Sequence, residues 1–244
     1  MRIATVRLQP AADSTEAAER LERAARAARE AGADLLVAPA RHLPGDPVRA
    51  AQASDGPFAR VAGEIAARHR LALVVGMAER AFGHVFDALL VFDARGHACG
   101  HYRRVHLLPG EEATFTAGAW GTVARIGAVR AGLLAGVDLM VPEFARALVL
   151  CGAELLLGAD TVSPEVFRTL LPARAVENGV AVAWAARSGP CGVALPDGRF
   201  LEAADGPAVA EVASPPDGPP RPRRRPRLYR AVCEEPPEED PAAR

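Results

Sequence analysis

The sequence predicts an α/β fold in which two β-sheets pack face to face and helices cover the outer side of each sheet. Apolar runs of strand length alternate with helical patterns in two halves of the chain, and hairpins lie between them. The chain has 244 residues, of which 50% are hydrophobic, so it can fill the core of one large domain. The expected architecture is therefore a four-layer α-β-β-α sandwich.

The first half opens with two strand and helix units. Residues 3–8, IATVRL, alternate as a strand does, and Asp13 with Glu16 forms a capping-box pattern that begins an Ala-rich helix. The continuous apolar run ADLLVAPA, residues 33–40, has the length of a buried strand. A Pro/Gly loop follows, and a second helix is predicted at about residues 58–69.

The remaining elements continue this alternation with more strands. Three successive strands follow the second helix, and the last two are joined at the turn DARG. The predicted strands are residues 71–80, 85–96, 97–107, 123–130, 153–160, 180–187, 191–203 and 207–213, and the predicted late helix is residues 164–179. No internal repeat of solenoid length is present, so a layered domain is favoured.

The segment GLLAGVDLMVPEFARAL, residues 132–148, has the layout of a catalytic elbow. An apolar strand leads into a Gly turn, and Pro142 with Glu143 opens a helix. Such a turn lifts one side chain above the edge of the sheet, where catalytic groups are commonly placed. Gly136 occupies that position, so this elbow carries no nucleophile.

Charge and composition limit the classes of partner. The formal net charge is −1 at pH 7, so no overall field attracts nucleic acid or an acidic membrane surface. No apolar run is long enough to span a bilayer, and we expect a cytoplasmic protein. Residues 214–244 are Pro/Arg-rich and then acidic. We expect residues 1–213 to form the domain and this C-terminal tail to be partly disordered or to cross a dimer partner.

Three segments, in order, resemble the nitrilase (carbon-nitrogen hydrolase) superfamily. They are GADLLVAPARHLPG at 32–45, GHYRRVHLLPGEEATFTAG at 100–118 and GLLAGVDLMVPEFARALVLCGAELLL at 132–157. PARAVENG at 172–179 and LPDGRFL at 195–201 extend the resemblance over about residues 1–213. The resemblance implies the nitrilase-like fold and hydrolysis of nitriles, amides or carbamoyl groups. It also implies a site built from a glutamate, a lysine and a cysteine.

The resemblance places all three catalytic positions on other residue types. The glutamate of the family's FPE falls on Ala40, the lysine of YRKVHL on Arg104, and the cysteine of ICYD on Gly136. Glycine cannot form a thioester and alanine cannot transfer a proton. The chain contains no lysine, and the arginine at position 104 keeps its charge but does not give up its proton. We therefore predict a degenerate triad with no intact catalytic residue, and we expect no cofactor.

A candidate ligand pocket comprises Arg104, Glu111, Glu112 and Asp138. Glu111, with Glu112 beside it, resembles an accessory glutamate of some family members, and Asp138 matches a position that organises the sheet edge. With alanine at position 40, Arg104 has one fewer carboxylate nearby, which favours a small anionic ligand. The alternative is an internal ion pair between Arg104 and Glu111 that neutralises the pocket.

Other chemistry-bearing residues are expected to be structural. His97, Cys99 and His101 recur at a period of two and would share one face of a strand, as metal ligands can. Only three donors are evident, so we predict no metal site. The four cysteines are widely spaced and should be reduced thiols. Neither Cys151 nor Cys191 occupies the elbow, so we predict no substitute nucleophile.

Three hypotheses about the function remain open, and the third, a purely structural module, is distinguished by whether any cavity survives. We favour a catalytically inactive family member that acts as a ligand-binding or regulatory subunit. The alternative is a carbon-nitrogen (amide or nitrile) hydrolase that uses Arg104, Glu111 or Asp138 with an activated water. The resemblance also implies a homodimer through the helices near 142–151 and 164–178, or a hetero-oligomer with another enzyme.

Overall fold

The computed structural model describes residues 1–9, 11, 13–39, 46–160, 163–203 and 206–212. Ala40 and residues 214–244 lie outside these described residues, so what the sequence predicts for them stays a prediction. Among the described residues, no helix is both long and apolar enough to cross a bilayer.

The helices and strands follow the predicted order along the chain. The strands are β1 Arg2–Thr5, β2 Leu35–Val37, β3 Ala72–Ala81, β4 His84–Phe92, β5 Ala98–Arg103, β6 Val123–Ile126, β7 Val129–Ala135, β8 Leu155–Ala159, β9 Ala181–Ala185, β10 Gly192–Ala194, β11 Phe200–Glu202 and β12 Ala208–Glu211. The helices are α1 Ser14–Glu30, α2 Pro47–Ala50, α3 Pro57–His69, α4 Pro142–Leu150 and α5 Pro164–Asn178. Two short 3-10 helices cover Glu111–Ala113 and Gly136–Met140. The strands predicted at 3–8, 33–40 and 97–107 are shorter than expected, and the strand predicted at 191–203 is divided into β10 and β11.

Among the described residues, two six-stranded sheets form the centre of the fold. The first has the order β12-β1-β2-β3-β4-β5 and the second β11-β10-β9-β8-β7-β6. In the first sheet β1, β2 and β3 are parallel, and in the second β7, β8 and β9 are parallel. Each of these parallel strands ends at the same edge of its sheet, where the loops that carry the candidate site residues begin.

In the part of the chain that the structure describes, the three largest apolar clusters join the sheets and the helices. Buried side chains from the facing sides of both sheets form the central layer, which includes Val74, Leu89 and Leu157. A second layer joins the outer side of the first sheet to α1 and α3. A third joins the outer side of the second sheet to α4 and α5. The predicted four-layer α-β-β-α sandwich is therefore confirmed.

Local sequence signals set the beginning of the first helix as predicted. Asp13 adopts an extended conformation, and its Oδ1 accepts a hydrogen bond from the backbone N of Glu16 at 2.8 Å. This contact satisfies one of the free N–H groups in the first helical turn. The Glu16 carboxylate accepts a hydrogen bond from Arg20 Nη2 at 2.6 Å.

The elbow differs from the simple Gly turn that the sequence predicts. A 3-10 helix, Gly136–Met140, stands between β7 and α4. Its first turn folds back because Asp138 Oδ2 accepts a hydrogen bond from the backbone N of Ala135 at 2.9 Å. The helix predicted to open at Pro142 does begin there.

A buried carboxylate ties β3 to β5 across the intervening strand β4. Glu79 is buried, and its two oxygens accept hydrogen bonds from Arg103 Nε and Nη2 at 2.8 and 2.7 Å. His101 Nε2 lies 2.8 Å from Glu79 Oε2. Burial raises the pKa of Glu79, but the hydrogen bonds from Arg103 and His101 outweigh burial and lower this pKa to about 2.

We predict that Glu79→Gln lowers the free energy of unfolding by roughly 2 to 4 kcal/mol at pH 7, because Arg103 and His101 lose their shared anion. The pKa of Glu79 is depressed in the folded state, from 4.5 to about 2. Its contribution is therefore complete above about pH 4.5 and is lost as the pH falls toward about 2. Urea unfolding at several pH values measures this difference. The exposed Glu64→Gln on α3 is the control, and an equal effect of both substitutions would contradict the prediction.

Candidate functional site

Arg104 follows β5 and is buried, with 2% of its side chain exposed. Its guanidinium faces three carboxylates. Nη2 lies 3.0 Å from Glu111 Oε1, Nε lies 3.6 Å from Asp87 Oδ2, and Nη1 lies 3.8 Å from Asp160 Oδ2. The ring of Phe115 lies 5.6 Å from the guanidinium carbon. Such a cation is tolerated inside a protein because opposite charges surround it.

The carboxylates around Arg104 come from both sheets. Asp87 lies within β4 of the first sheet, and its backbone O accepts a hydrogen bond from Arg104 N at 2.8 Å. Asp160 directly follows β8 of the second sheet and has a φ of 146°, a backbone conformation that non-glycine residues rarely adopt. Arg104 therefore connects the two sheets through their charged side chains.

Gly136 lies against this charged cluster. Its φ is +52°, in the left-handed region that favours glycine. A Cβ atom on Gly136 would lie 2.7 Å from Arg104 Nη1 and 3.1 Å from Asp160 Oδ2. The arginine and the aspartate thus occupy the space in which any side chain at this elbow would begin.

Of the two predicted pocket glutamates, only Glu111 forms an ion pair with Arg104. Its Oε2 also accepts a hydrogen bond from Leu108 N at 2.8 Å, which fixes the carboxylate at the start of its 3-10 helix. Glu112 is exposed, and its Oε2 accepts a hydrogen bond from Gly110 N at 2.7 Å. The structure therefore contains the internal ion pair that the sequence offered as the alternative to an anionic ligand.

Asp138 is fully buried, and both of its carboxylate oxygens contact other groups of the protein. Its oxygens accept hydrogen bonds from the Tyr102 hydroxyl at 2.5 Å, from His106 N at 3.1 Å and from Ala135 N at 2.9 Å. His106 Nδ1 also lies 2.8 Å from Asp138 Oδ1. Burial, followed by the charge of Asp138, raises the pKa of Tyr102. This carboxylate joins the loop after β5 to the elbow.

Four residues of the site are not among those predicted from the sequence: Asp87, Asp160, Tyr102 and His106. The available signal was an aspartate inside or directly after an apolar strand, as in VFDALLVF and LLLGAD. Such a residue must find a partner when its strand is buried. The partner of each aspartate lies far away in the sequence, so the sequence alone does not name it.

The sequence offers His97, Cys99 and His101 as a candidate set of metal ligands on one strand face. The structure does not place all three on that strand. His97 lies in the turn before β5 rather than on the strand, and its Nδ1 lies 3.5 Å from Asp93 Oδ2. The expectation that all three side chains share a strand face is therefore wrong. No group of three or more His, Cys, Asp or Glu side chains in the described ranges could hold a metal ion.

The described cysteines lie away from the elbow. Cys99, Cys151 and Cys191 are free thiols, and Cys191 is buried. Burial raises the pKa of Cys191 to about 11, and burial followed by the charge of Asp93 raises the pKa of Cys99. Both shifts favour the neutral thiol over the nucleophilic thiolate.

Comparison with known proteins identifies the family. Residues 2–213 match the family model described as Carbon-nitrogen hydrolase. The chain belongs to the carbon-nitrogen hydrolase family. A relative described as a hydrolase in the pqqF 5′ region of Pseudomonas protegens is 34% identical over 190 residues, which cover 69% of this chain and 67% of the relative. An (R)-stereoselective amidase of a Pseudomonas species is 32% identical over 154 residues, which cover 59% and 56% of the two chains.

Solved structures of a carbon-nitrogen hydrolase share the same fold. A structure of the Nesterenkonia AN1 amidase from the nitrilase superfamily has a TM-score of 0.79 and 27% identity, covering 95% of this chain and 97% of the amidase. A structure of a glutamate-to-glutamine mutant of that amidase shows covalent addition of the acetamide moiety of fluoroacetamide at the active-site cysteine. It has a TM-score of 0.73 and covers 86% of this chain and 88% of the amidase.

We predict that Gly136→Ala lowers the free energy of unfolding by roughly 2 to 4 kcal/mol, because the new Cβ is strained and also meets the Arg104 guanidinium. Gly127→Ala is a matched control. Gly127 has a φ of +61°, and no atom lies within 4 Å of the position that its Cβ would take. This control should therefore lose only about 1 kcal/mol, from backbone strain. Urea unfolding compares the two variants, and equal losses would show that Arg104 does not fill the space beside Gly136.

Proposed function

We propose that this carbon-nitrogen hydrolase family member is catalytically inactive and acts as a regulatory or partner subunit. The observation that carries the proposal is the position of the Arg104 guanidinium beside Gly136. On the resemblance, Gly136 stands where family members have their cysteine. A Cβ on Gly136 would lie only 2.7 Å from Arg104 Nη1. This separation supports the view that the Arg104 side chain occupies the space that a cysteine side chain would need.

The acid-base groups of the family support the same proposal. Arg104 stands at the lysine position and does not release its proton near neutral pH. Ala40 stands at the glutamate position and has no carboxylate. Glu111 is the nearest acidic group to Arg104, at 3.0 Å, and its charge is matched by that arginine. A general base for attack on an amide carbon is therefore not supplied by these positions.

The charge around Arg104 favours a protein partner over an anionic ligand. Among the four charged side chains of this cluster, the carboxylates of Asp87, Glu111 and Asp160 outnumber the guanidinium. An anion brought to Arg104 would therefore also approach these carboxylates, which repel it. The second candidate function is a subunit that binds a small anionic ligand at Arg104. Direct binding measurements with phosphate and acetate test this candidate.

We propose that the partner is a second copy of the chain, bound through the helices beside the elbow. Exposed apolar side chains lie on this face at Met140, Leu150 and Val176. They belong to the 3-10 helix, α4 and α5, which are adjacent elements. Neighbouring exposed apolar residues are typical of interaction surfaces.

The free thiols of Cys99 and Cys151 support a reducing, cytoplasmic setting.

We predict that the purified protein releases no ammonia above the protein-free background from acetamide, propionamide or benzamide. After incubation with fluoroacetamide, its intact mass should show no addition of an acetamide group. The Nesterenkonia AN1 amidase is the positive control for ammonia release, and its glutamate-to-glutamine mutant is the positive control for acetamide addition. Cys151→Ser corrects for labelling of an exposed thiol. Turnover that Glu111→Gln abolishes would reject the proposal and support the alternative of a hydrolase that uses an activated water.

We predict that the full chain elutes with twice its 25.6 kDa mass in size-exclusion chromatography with light scattering, and that Val176→Glu converts it to a monomer. A charge placed in an apolar interface is left without a partner when the interface forms. The control is Val48→Glu, at an exposed apolar position on α2, which should leave the dimer intact. A dimer that survives Val176→Glu would place the interface elsewhere.

A further inference from the structure

An aromatic groove of about 500 Å³ lies between the β3–β4 turn and residues 116–122, and the side chains of the Arg104 cluster are not part of its lining. Its lining includes the side chains of Phe82, Phe86, His101, Arg103 and Trp120. We call this surface the Trp120 groove. It is open, and two of its aromatic side chains are almost fully exposed.

Phe82 has a strained backbone conformation, which lowers the stability of the fold. The turn between β3 and β4 has two residues, Phe82 and Gly83, with φ angles of 52° and 80°. Turns of this kind favour Asn, Asp or Gly, and a bulky residue in the left-handed region is strained by about 1 kcal/mol. The side chain is also 85% exposed, so burial in the core does not offset the strain. The Phe82 ring lies 5.5 Å from the guanidinium carbon of Arg103, and the rest of its surface is open to another group.

Trp120 forms the second exposed aromatic side chain, with 82% of its surface accessible. The other tryptophan of the chain, Trp184, is fully buried. Exposed tryptophan next to arginine is typical of surfaces that bind protein segments, because a rigid ring supplies large contact area at little entropic cost. The residues around Trp120 thus have the composition of a binding site.

The side chains of Arg103 and His101 in the groove are held in place by the buried carboxylate of Glu79. Glu79 binds Arg103 through Nε and Nη2, and the guanidinium carbon lies 4.2 Å from the centre of the Phe86 ring. The same carboxylate holds His101 Nε2. Arg103 Nη1 and His101 Nδ1 make no hydrogen bond with any described residue. A bound group should therefore combine flat apolar rings with a carboxylate for Arg103.

We propose that the Trp120 groove binds the acidic proline segment EEPPEEDP, residues 234–241, of this chain. Proline rings stack on exposed aromatic side chains, and extended proline segments are recognised in grooves lined by such rings. The glutamates on either side of Pro236 and Pro237 supply carboxylates for Arg103. The basic segment RPRRRPR, residues 221–227, is repelled by Arg103 and is the less suitable occupant.

The intervening chain is long enough for this contact. Val212 N donates a hydrogen bond to Met1 O, at the edge of the first sheet opposite β5. The groove lies at the far ends of β3 and β5. Crossing the sheet and following a strand of β3 length requires about 60 Å. Residues 213–233 span about 70 Å when extended, at about 3.3 Å per residue. Binding within one chain or to a second copy is therefore geometrically possible.

Fluorescence quenching of the full chain tests this proposal directly. Succinimide, a neutral quencher, is titrated into the protein, and the signal of Trp120→Phe is subtracted to isolate Trp120. In a tail variant, Glu234, Glu235, Glu238 and Glu239 are changed to Gln, and Pro236 and Pro237 to Ser. We expect Trp120 to be quenched about threefold more strongly in this variant, which corresponds to an occupancy of about two thirds in the unmodified chain. The buried Trp184 reports that the fold is unchanged.

A second tail variant separates the two charged segments. Changing Arg223, Arg224 and Arg225 to Gln removes basic charge and should leave the quenching of Trp120 unchanged. Protection that persists on dilution assigns the bound segment to the same chain, and protection lost on dilution assigns it to a second copy. Equal quenching of Trp120 in the unmodified chain and the acidic-segment variant would overturn the proposal. So would exposure of Trp120 by the arginine substitutions alone.

Discussion

The buried guanidinium of Arg104 is the interaction on which the candidate site depends. Removing a cation from water is costly, and here the cost is offset by carboxylates from β4, from the end of β8 and from the 3-10 helix at Glu111. Because these carboxylates belong to both sheets, the ion pairs fix how the loops above the sheets approach one another. The elbow residue Gly136 must then remain without a side chain, since the guanidinium already fills the adjacent space.

A second carboxylate, Asp138, completes the same arrangement. It connects Tyr102 and His106, which flank Arg104 in the sequence, to the backbone at the start of the elbow. Two kinds of contact therefore join the residues after β5 to the elbow. One is the charge interaction of Arg104, and the other is the set of hydrogen bonds that Asp138 accepts. A region that serves catalysis in relatives can in this way stabilise the fold, which is consistent with the partner role that we propose.

The layers of the fold follow from sequence patterns, because strand and helix periodicity and the cap at Asp13 are local signals. The internal pair between Arg104 and Glu111 could also be anticipated, as one of two alternatives, from residues close together in the chain. Asp87 and Asp160 could not, since only the packing of two sheets brings them to Arg104. The 3-10 helix at the elbow depends on a side-chain contact from Asp138, and no periodic pattern encodes such a contact.

The most direct test of the account is the free energy of unfolding of Arg104→Gln, measured by urea unfolding beside that of Arg125→Gln, a substitution at an exposed strand position. If Arg104 is the structural cation of this region, its loss removes the positive charge that faces three carboxylates and lowers the free energy of unfolding by about 3 to 5 kcal/mol. Equal stability of the two variants would contradict the account and would return Arg104 to the role of a ligand-binding residue.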